Sequence, residues 1–315
     1  MSETRSGATP EPSPDVSIIL LTHQAGPDIE RVLSAVFAQE KAPPFEVIAI
    51  DTASSNGTLE RLARWPVRVE RITRDEFSHP GTRNRGVRLA RGEIVVFLVQ
   101  DAIPAHPRWL ANLLAPLDDP RVAAAYSRQV PRAGANPIER RDIERGAPPT
   151  RRVTRVDDAE PFLIDEYRRR TQAFITFSHV ASCGRRRLLL EHPLDERLPM
   201  VEDQEWCKRI LEAGWTVVYE PSSVVAHSHE HTLRQLYRRQ FDYGRSFARF
   251  LPLPASFTNA LVAAGYEALG DWIYLRGLGG SVAWKVRWAA AIPVRRLAMK
   301  LGFHRGLRTK SGAAS

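Results

Sequence analysis

The feature that most constrains this chain is a series of continuous apolar runs of strand length, spaced by amphipathic helices. Val16-Ser-Ile-Ile-Leu-Leu-Thr22 is the first, and Phe45-Glu-Val-Ile-Ala-Ile50 and Ile94-Val-Val-Phe-Leu-Val99 follow. Runs of this kind, without polar alternation, suit parallel strands buried on both faces. Between the first two, Ile29, Val32, Leu33, Val36 and Phe37 share one helix face at spacings of three and four. Thr58 is placed to cap a second helix through Arg64, and Val67 to Ile72 reads as another strand. Thr82 to Arg91 reads as a helix closed by Gly92. This alternation predicts right-handed βαβ units and an α/β fold with a Rossmann-like, mostly parallel sheet flanked by helices. Open sheets of this type bind ligands beyond the C-terminal ends of their strands, where the sequence sets Thr22, Asp51, Gln100 and Asp101.

After Pro131 the pattern loosens. Residues 136–170 are rich in Arg, Asp, Glu and Pro with little periodicity, and read as a mobile excursion over the site. Order returns with Ala173 to Phe177, a helix from Glu202 to Ala213 closed by Gly214, and a strand from Trp215 to Tyr219. From Leu233 onward the chain reads as helical. The expected organisation is a disordered lead-in over 1–14, one α/β domain over 15–250 and a basic helical extension over 251–315. With 315 residues, 43% of them hydrophobic, the chain is long enough for one large domain with appendages. Its net charge of +9 favours anionic partners without choosing among nucleotide phosphates, nucleic acid and an acidic membrane. Cys183 and Cys207 suggest neither a disulfide framework nor a metal clip, so a reducing cytoplasm is the expected compartment.

Five segments carry side chains suited to chemistry. Asp51 and the Thr-Ala-Ser-Ser-Asn-Gly-Thr after it can accept a base or ribose hydrogen bond, although a turn that caps the next helix needs the same residues. Asp101 follows the most buried strand and is well placed for Mg²⁺ or Mn²⁺, hard cations that take oxygen ligands. Glu202 and Asp203 open a helix whose Trp206, Ile210 and Leu211 face the core. Acidic residues there complement the helix dipole, but that role does not require both, and one can serve as a general base. His227-Ser-His229-Glu-His231 can ligate a metal or form a surface loop. Phe77-Ser-His-Pro-Gly-Thr-Arg83-Asn84 leads into a helix whose amides and Arg83 can receive negative charge.

In this order the segments resemble the family 2 inverting glycosyltransferases of the GT-A fold, and within them the rhamnosyltransferase-like branch, over about Val16 to Phe250. The resemblance implies that Thr22 and Asp51 contact the nucleoside of a nucleotide-sugar donor, Asp51 at the pyrimidine, that Arg83 helps hold the base or diphosphate, and that Gln100 is donor-binding. Asp101 matches the surviving carboxylate of a metal-binding Asp-x-Asp, and His227 or His229 the histidine that completes the metal site. Asp203, with Glu202 beside it, matches the catalytic base. A divalent cation (Mg²⁺ or Mn²⁺) is the implied cofactor, dTDP-L-rhamnose the implied donor, and a hydroxyl of a glycan or lipid-linked molecule the implied acceptor. Gln100 departs from the family pattern, since many relatives carry an acidic residue there, and Thr-Ala-Ser-Ser-Asn replaces the commoner Gly-Ser-Thr-Asp type of turn after Asp51.

Two other readings compete. Nucleotidyltransferases also set metal-bound aspartates on Rossmann-like sheets, but Thr22-His-Gln-Ala-Gly26 lacks their Gly-rich basic signature. A basic scaffold or nucleic-acid-binding protein fits the charge, yet no nucleic-acid module is recognisable, so no nucleic acid is expected. In the tail, Leu261, Trp272, Ile273, Trp284, Trp288 and Leu297 interleave with Lys and Arg as in interfacial helices, which allows peripheral association with the inner face of an anionic membrane. Ordinary packing of terminal helices on the core accounts for the same pattern.

Overall fold

A computed structural model of the chain describes residues 14–156 and 160–309. All of the expected lead-in except Pro14 lies outside them. The first third builds as the apolar runs dictate. Strands β1 (Val16–Thr22), β2 (Phe45–Thr52), β3 (Val67–Ile72) and β4 (Ile94–Val99) are parallel, in the order β3-β2-β1-β4. Helices α1 (Asp28–Phe37), α2 (Thr58–Leu62) and α3 (His79–Leu89) connect them. Each run is buried on both faces: Ile19, Ile48 and Phe97 enter one core, while Ile18, Val47 and Val96 enter another with Ile29 and Leu33 of α1.

The second half completes one mixed sheet of nine strands among the described residues. After β5 (Ile103–Pro104) and α4 (Trp109–Leu114) comes β6 (Val122–Val130), followed by α5 (Pro137–Gly146), β7 (Arg152–Thr154) and α6 (Pro161–Phe174). Then come β8 (Ala181–Arg185), α7 (Arg186–Glu191), α8 (Glu202–Glu212) and β9 (Thr216–Ala226). Strand β8 inserts antiparallel between β4 and β6, β6 runs parallel to β9, and β5 and β7 pair antiparallel with β9. Between Glu220 and Val224 the register of β9 on β6 slips past Pro221, which has no ladder donor. The strand bends there, and its end aims the following histidines at the tips of β1 and β4. Helices α9 (Leu233–Phe250), α10 (Phe257–Gly277) and α11 (Val282–Leu307) follow. Close approach of α11 to α9 requires glycine, since a Cβ on Gly306 would lie 2.1 Å from the Phe241 carbonyl oxygen.

Several expectations need correction. The excursion over 136–170 is instead α5, β7 and α6, with Asn136 capping α5 through the Glu139 amide. Its periodicity is hidden because α5 docks through charge: Arg141 pairs with Glu267 and Asp271, and Asp142 with Arg296. Thr58 is the first residue of α2 and not its cap; Gly57, at φ +80°, precedes it. Helix α3 starts at His79, capped by Ser78, and ends at Leu89. Gly92 does not close it, and sits where a Cβ would lie 2.7 Å from the backbone of Val16. Strands β6 and β8 carry little strand signal in the sequence, because Ala, Ser, Cys and Gly dominate their buried halves.

Candidate functional site

A cavity of about 340 Å³ opens at the C-terminal ends of β1 and β4. Thr22, Gln100 and Asp101 supply its floor, α3 and α8 one wall, and α9 with the histidine segment the other. Of the residues singled out in the sequence, Thr22, Arg83, Gln100, Asp101, Glu202, Asp203, His227 and His229 all line it.

Asp51 stands behind this floor. Fully buried, its carboxylate accepts from Thr22 Oγ1 (2.9 Å), Ser54 Oγ (2.6 Å) and the Ser54 amide (3.0 Å). It therefore ties the ends of β1 and β2 together, which is the turn role that its sequence context also allowed. Gln100 ties β4 to β1: its Oε1 accepts from the His23 amide (2.7 Å) and its Nε2 donates to the His23 carbonyl (3.1 Å). An acidic residue at 100 could not make the second bond, so the departure from the family pattern has a local structural consequence.

Asp101, His227 and His229 converge. One ligand atom from each lies within 4.8 Å of the others, the only such group of three found among the described residues. Asp101 Oδ1 is 3.6 Å from His227 Nε2, and Oδ2 is 3.3 Å from His229 Nδ1. The His227 ring is oriented from behind. Gln129 Oε1 accepts from its Nδ1 (3.2 Å), and Gln129 Nε2 in turn donates to Ser178 Oγ (3.2 Å), leaving Nε2 of the ring as a lone pair facing Asp101. Burial, reinforced by His229 and Arg239, pushes the His227 pKa down to about 3, so the ring is neutral at ordinary pH. The His229 amide donates to Glu139, which fixes the loop on α5. One carboxylate and two imidazoles, at least one neutral and turned inward, fit a divalent cation such as Mn²⁺ or Mg²⁺.

Across the cavity, α8 begins with Glu202 and Asp203. The preceding Val201 has φ +57°, a left-handed conformation costly for a β-branched residue, and it directs both carboxylates inward at the helix start. Asp203 Oδ2 accepts from the His179 amide (3.1 Å) and Oδ1 from the Gln204 amide (2.9 Å). Burial first, and the neighbouring Glu202 charge second, push its pKa up to about 7. Glu202 is differently occupied, since it is buried and accepts from Arg83 Nη1. Arg83 thus neutralises Glu202 rather than standing open to a ligand.

Three further residues, without a clear signal in the sequence, shape the site. His179 is fully buried and its imidazole is held neutral by that burial, while its amide carries Asp203. Gln129 orients His227. Arg239 lines the cavity from α9, over the Tyr243 ring at 5.6 Å, with no carboxylate at ion-pair distance among the described residues. A signal for Arg239 existed in the i, i+4 spacing from Arg239 to Tyr243, but neighbouring arginines on α9 mask it. Cys183 and Cys207 are buried and unbridged. No helix among the described residues is long and apolar enough to cross a membrane.

Comparison with known proteins bears on the family and the fold. The profile of glycosyl transferase family 2 matches residues 17–191. The O-antigen chain rhamnosyltransferase WbaN of Salmonella anatum is 30% identical over 236 residues, covering 73% of this chain and 71% of that protein. RfbN of Salmonella typhimurium, also an O-antigen chain rhamnosyltransferase, is 30% identical over 233 residues with the same coverage. Among solved structures, the mannosyltransferase PcManGT of Pyrobaculum calidifontis, in complex with GDP-Man and Mn²⁺, superposes with a TM-score of 0.57 at 20% identity. That match covers 96% of this chain and 89% of the other. Glucosyl-3-phosphoglycerate synthase of Mycobacterium tuberculosis gives 0.52 at 21% identity over 75% and 79%. At such identities the two structures speak for the fold alone.

Proposed function

The chain belongs to glycosyl transferase family 2, and from that premise we propose that it moves a sugar from a nucleotide diphosphate donor to an acceptor hydroxyl by single displacement, with inversion at the anomeric carbon. The observation that carries the proposal is the pairing, across one cavity, of a cation-binding group with a carboxylate of raised pKa. Asp101, His227 and His229 would hold the divalent cation, which when bound would neutralise charge on the departing diphosphate. Two imidazole ligands favour Mn²⁺ over Mg²⁺. Arg239 faces the same charge from α9 and adds a fixed cation.

Asp203 is the base. Two backbone amides fix its orientation, and a pKa near 7 matches a base working at neutral pH. It accepts the proton of the acceptor hydroxyl as that oxygen bonds to the sugar. The ion pair with Arg83 holds Glu202 at the start of α8, where the Glu202 charge raises the Asp203 pKa and the Arg83 charge opposes it. No enzyme nucleophile is needed, which is why inversion follows. Thr22, held by Asp51, and the turn after it border the donor nucleoside. L-rhamnose from dTDP-L-rhamnose is the proposed donor sugar, supported by the resemblance to the two O-antigen rhamnosyltransferases, and a glycan or lipid-linked hydroxyl is the acceptor.

A panel of nucleotide sugars, assayed for donor hydrolysis and binding with and without Mn²⁺, tests this directly. Metal-dependent turnover of dTDP-L-rhamnose supports the reading. Turnover of another nucleotide sugar alone replaces the donor, and no binding of any nucleotide sugar removes the function.

A further inference from the structure

We propose that the outward faces of α10 and α11 form a docking surface for an anionic lipid bilayer, on which the protein lies without crossing it. Helix α10 is built inside out. Its only carboxylates, Glu267 and Asp271, turn inward, where Arg141 pairs with both, Arg145 with Glu267 and Arg296 with Asp271. Its exposed face carries Leu261, Val262, Tyr266, Leu269, Trp272 and Ile273, with Val262 67% and Ile273 63% accessible. Helix α11 does likewise: Val282, Val286, Val294 and Leu297 are exposed, while Ile292 and Arg296 are buried. An apolar stripe of this length turned to solvent on two consecutive helices marks an interaction surface.

Charge selects the occupant. Beyond Asp271 the sequence contains nine Lys and Arg and no Asp or Glu, which equals the whole net charge of +9. Arg276 and Arg287 are exposed beside the apolar stripes and take part in no ion pair among the described residues. A second copy docked face to face would bring these cations together. Anionic headgroups complement them, and acyl chains accept the Leu, Val and Ile side chains, the combination expected of helices lying in a bilayer interface. Because neither helix is apolar enough to span a membrane, the interface is where they rest.

Flotation of the full chain with vesicles of phosphatidylcholine, with and without phosphatidylglycerol, tests the proposal independently of the catalytic reading. The protein is expected to float only with the anionic vesicles, and less at high salt. Replacing Arg276→Gln and Arg287→Gln should weaken binding about five-fold per cation removed. Val262→Glu with Ile273→Glu should abolish it with an unchanged melting temperature, since both positions are exposed. Failure of the unaltered protein to float, equal flotation on phosphatidylcholine alone, or undiminished flotation of the Glu pair overturns the proposal. So does light scattering that finds a dimer which the same Glu pair dissociates, because a second copy then covers the face.

Discussion

Glu202→Gln tests how the site sets the basicity of Asp203. The wild-type carboxyl of Asp203 is pushed from 3.8 up to about 7, with burial the larger cause and Glu202 the next. The substitution keeps the shape of the residue and removes its charge. Burial persists, so the pKa falls only part of the way, by about one unit or ~1.4 kcal/mol. The sign follows from the role. A base works ionised, so activity is lost as pH falls through its pKa, and a lower pKa moves that loss to lower pH. At pH 6 an acid of pKa about 7 is roughly one-tenth ionised, whereas one of pKa about 6 is half ionised. The ratio of kcat/KM at pH 6 to that at pH 8 should therefore rise about five-fold in the variant. Using a ratio within one protein cancels any uniform loss of activity. Arg83 is left buried beside a neutral partner, so the melting temperature should drop and stability should fall by up to about 3–5 kcal/mol if Gln makes no hydrogen bond to it. The profile is therefore recorded well below the melting range. An acid limb that stays in place, or that moves to higher pH, refutes either Asp203 as the base or Glu202 as the group that raises it.

Asp203→Asn should lower kcat about 10²–10⁴-fold while donor binding, read by calorimetry, is retained; full activity excludes the base role. Chelation should remove turnover and Mn²⁺ should restore it, whereas His227→Ala should lose Mn²⁺ binding measured by titration of the metal alone. Gln129→Leu touches no metal ligand atom but frees the His227 ring, and should weaken Mn²⁺ binding about 10–100-fold; unchanged affinity would show that the ring needs no support. Gly306→Val forces α11 away from α9, because its Cβ meets backbone atoms of Phe241 and Arg245, and a loss of about 1–3 kcal/mol is expected in chemical denaturation.

Which parts of the molecule were legible in the sequence follows from the kind of force that shapes each part. Strands β1, β2 and β4 announce themselves because burial on both faces demands unbroken Val, Ile and Leu, and their ends then locate Thr22, Asp51 and Asp101. Helix α5 was invisible because it is held by Arg141 and Asp142 reaching carboxylate and guanidinium partners more than a hundred residues away, and ion pairs leave no period in the sequence. Strand β8 was invisible for the opposite reason. Packed between β4 and β6, it needs small side chains, and Ala-Ser-Cys-Gly carries no strand signal. The site shows the same division. The residues proposed to meet ligands, Asp101, Asp203, His227 and His229, are of types that stand out in any sequence. The groups that set their behaviour are ordinary until the fold assembles them: a glutamine behind His227, the backbone amide of His179 under Asp203, and an arginine that neutralises Glu202. Arg83 illustrates the consequence. A buried glutamate pairs with its charge although it lines the cavity, so in the proposed mechanism Arg83 acts by holding Glu202 at the start of α8.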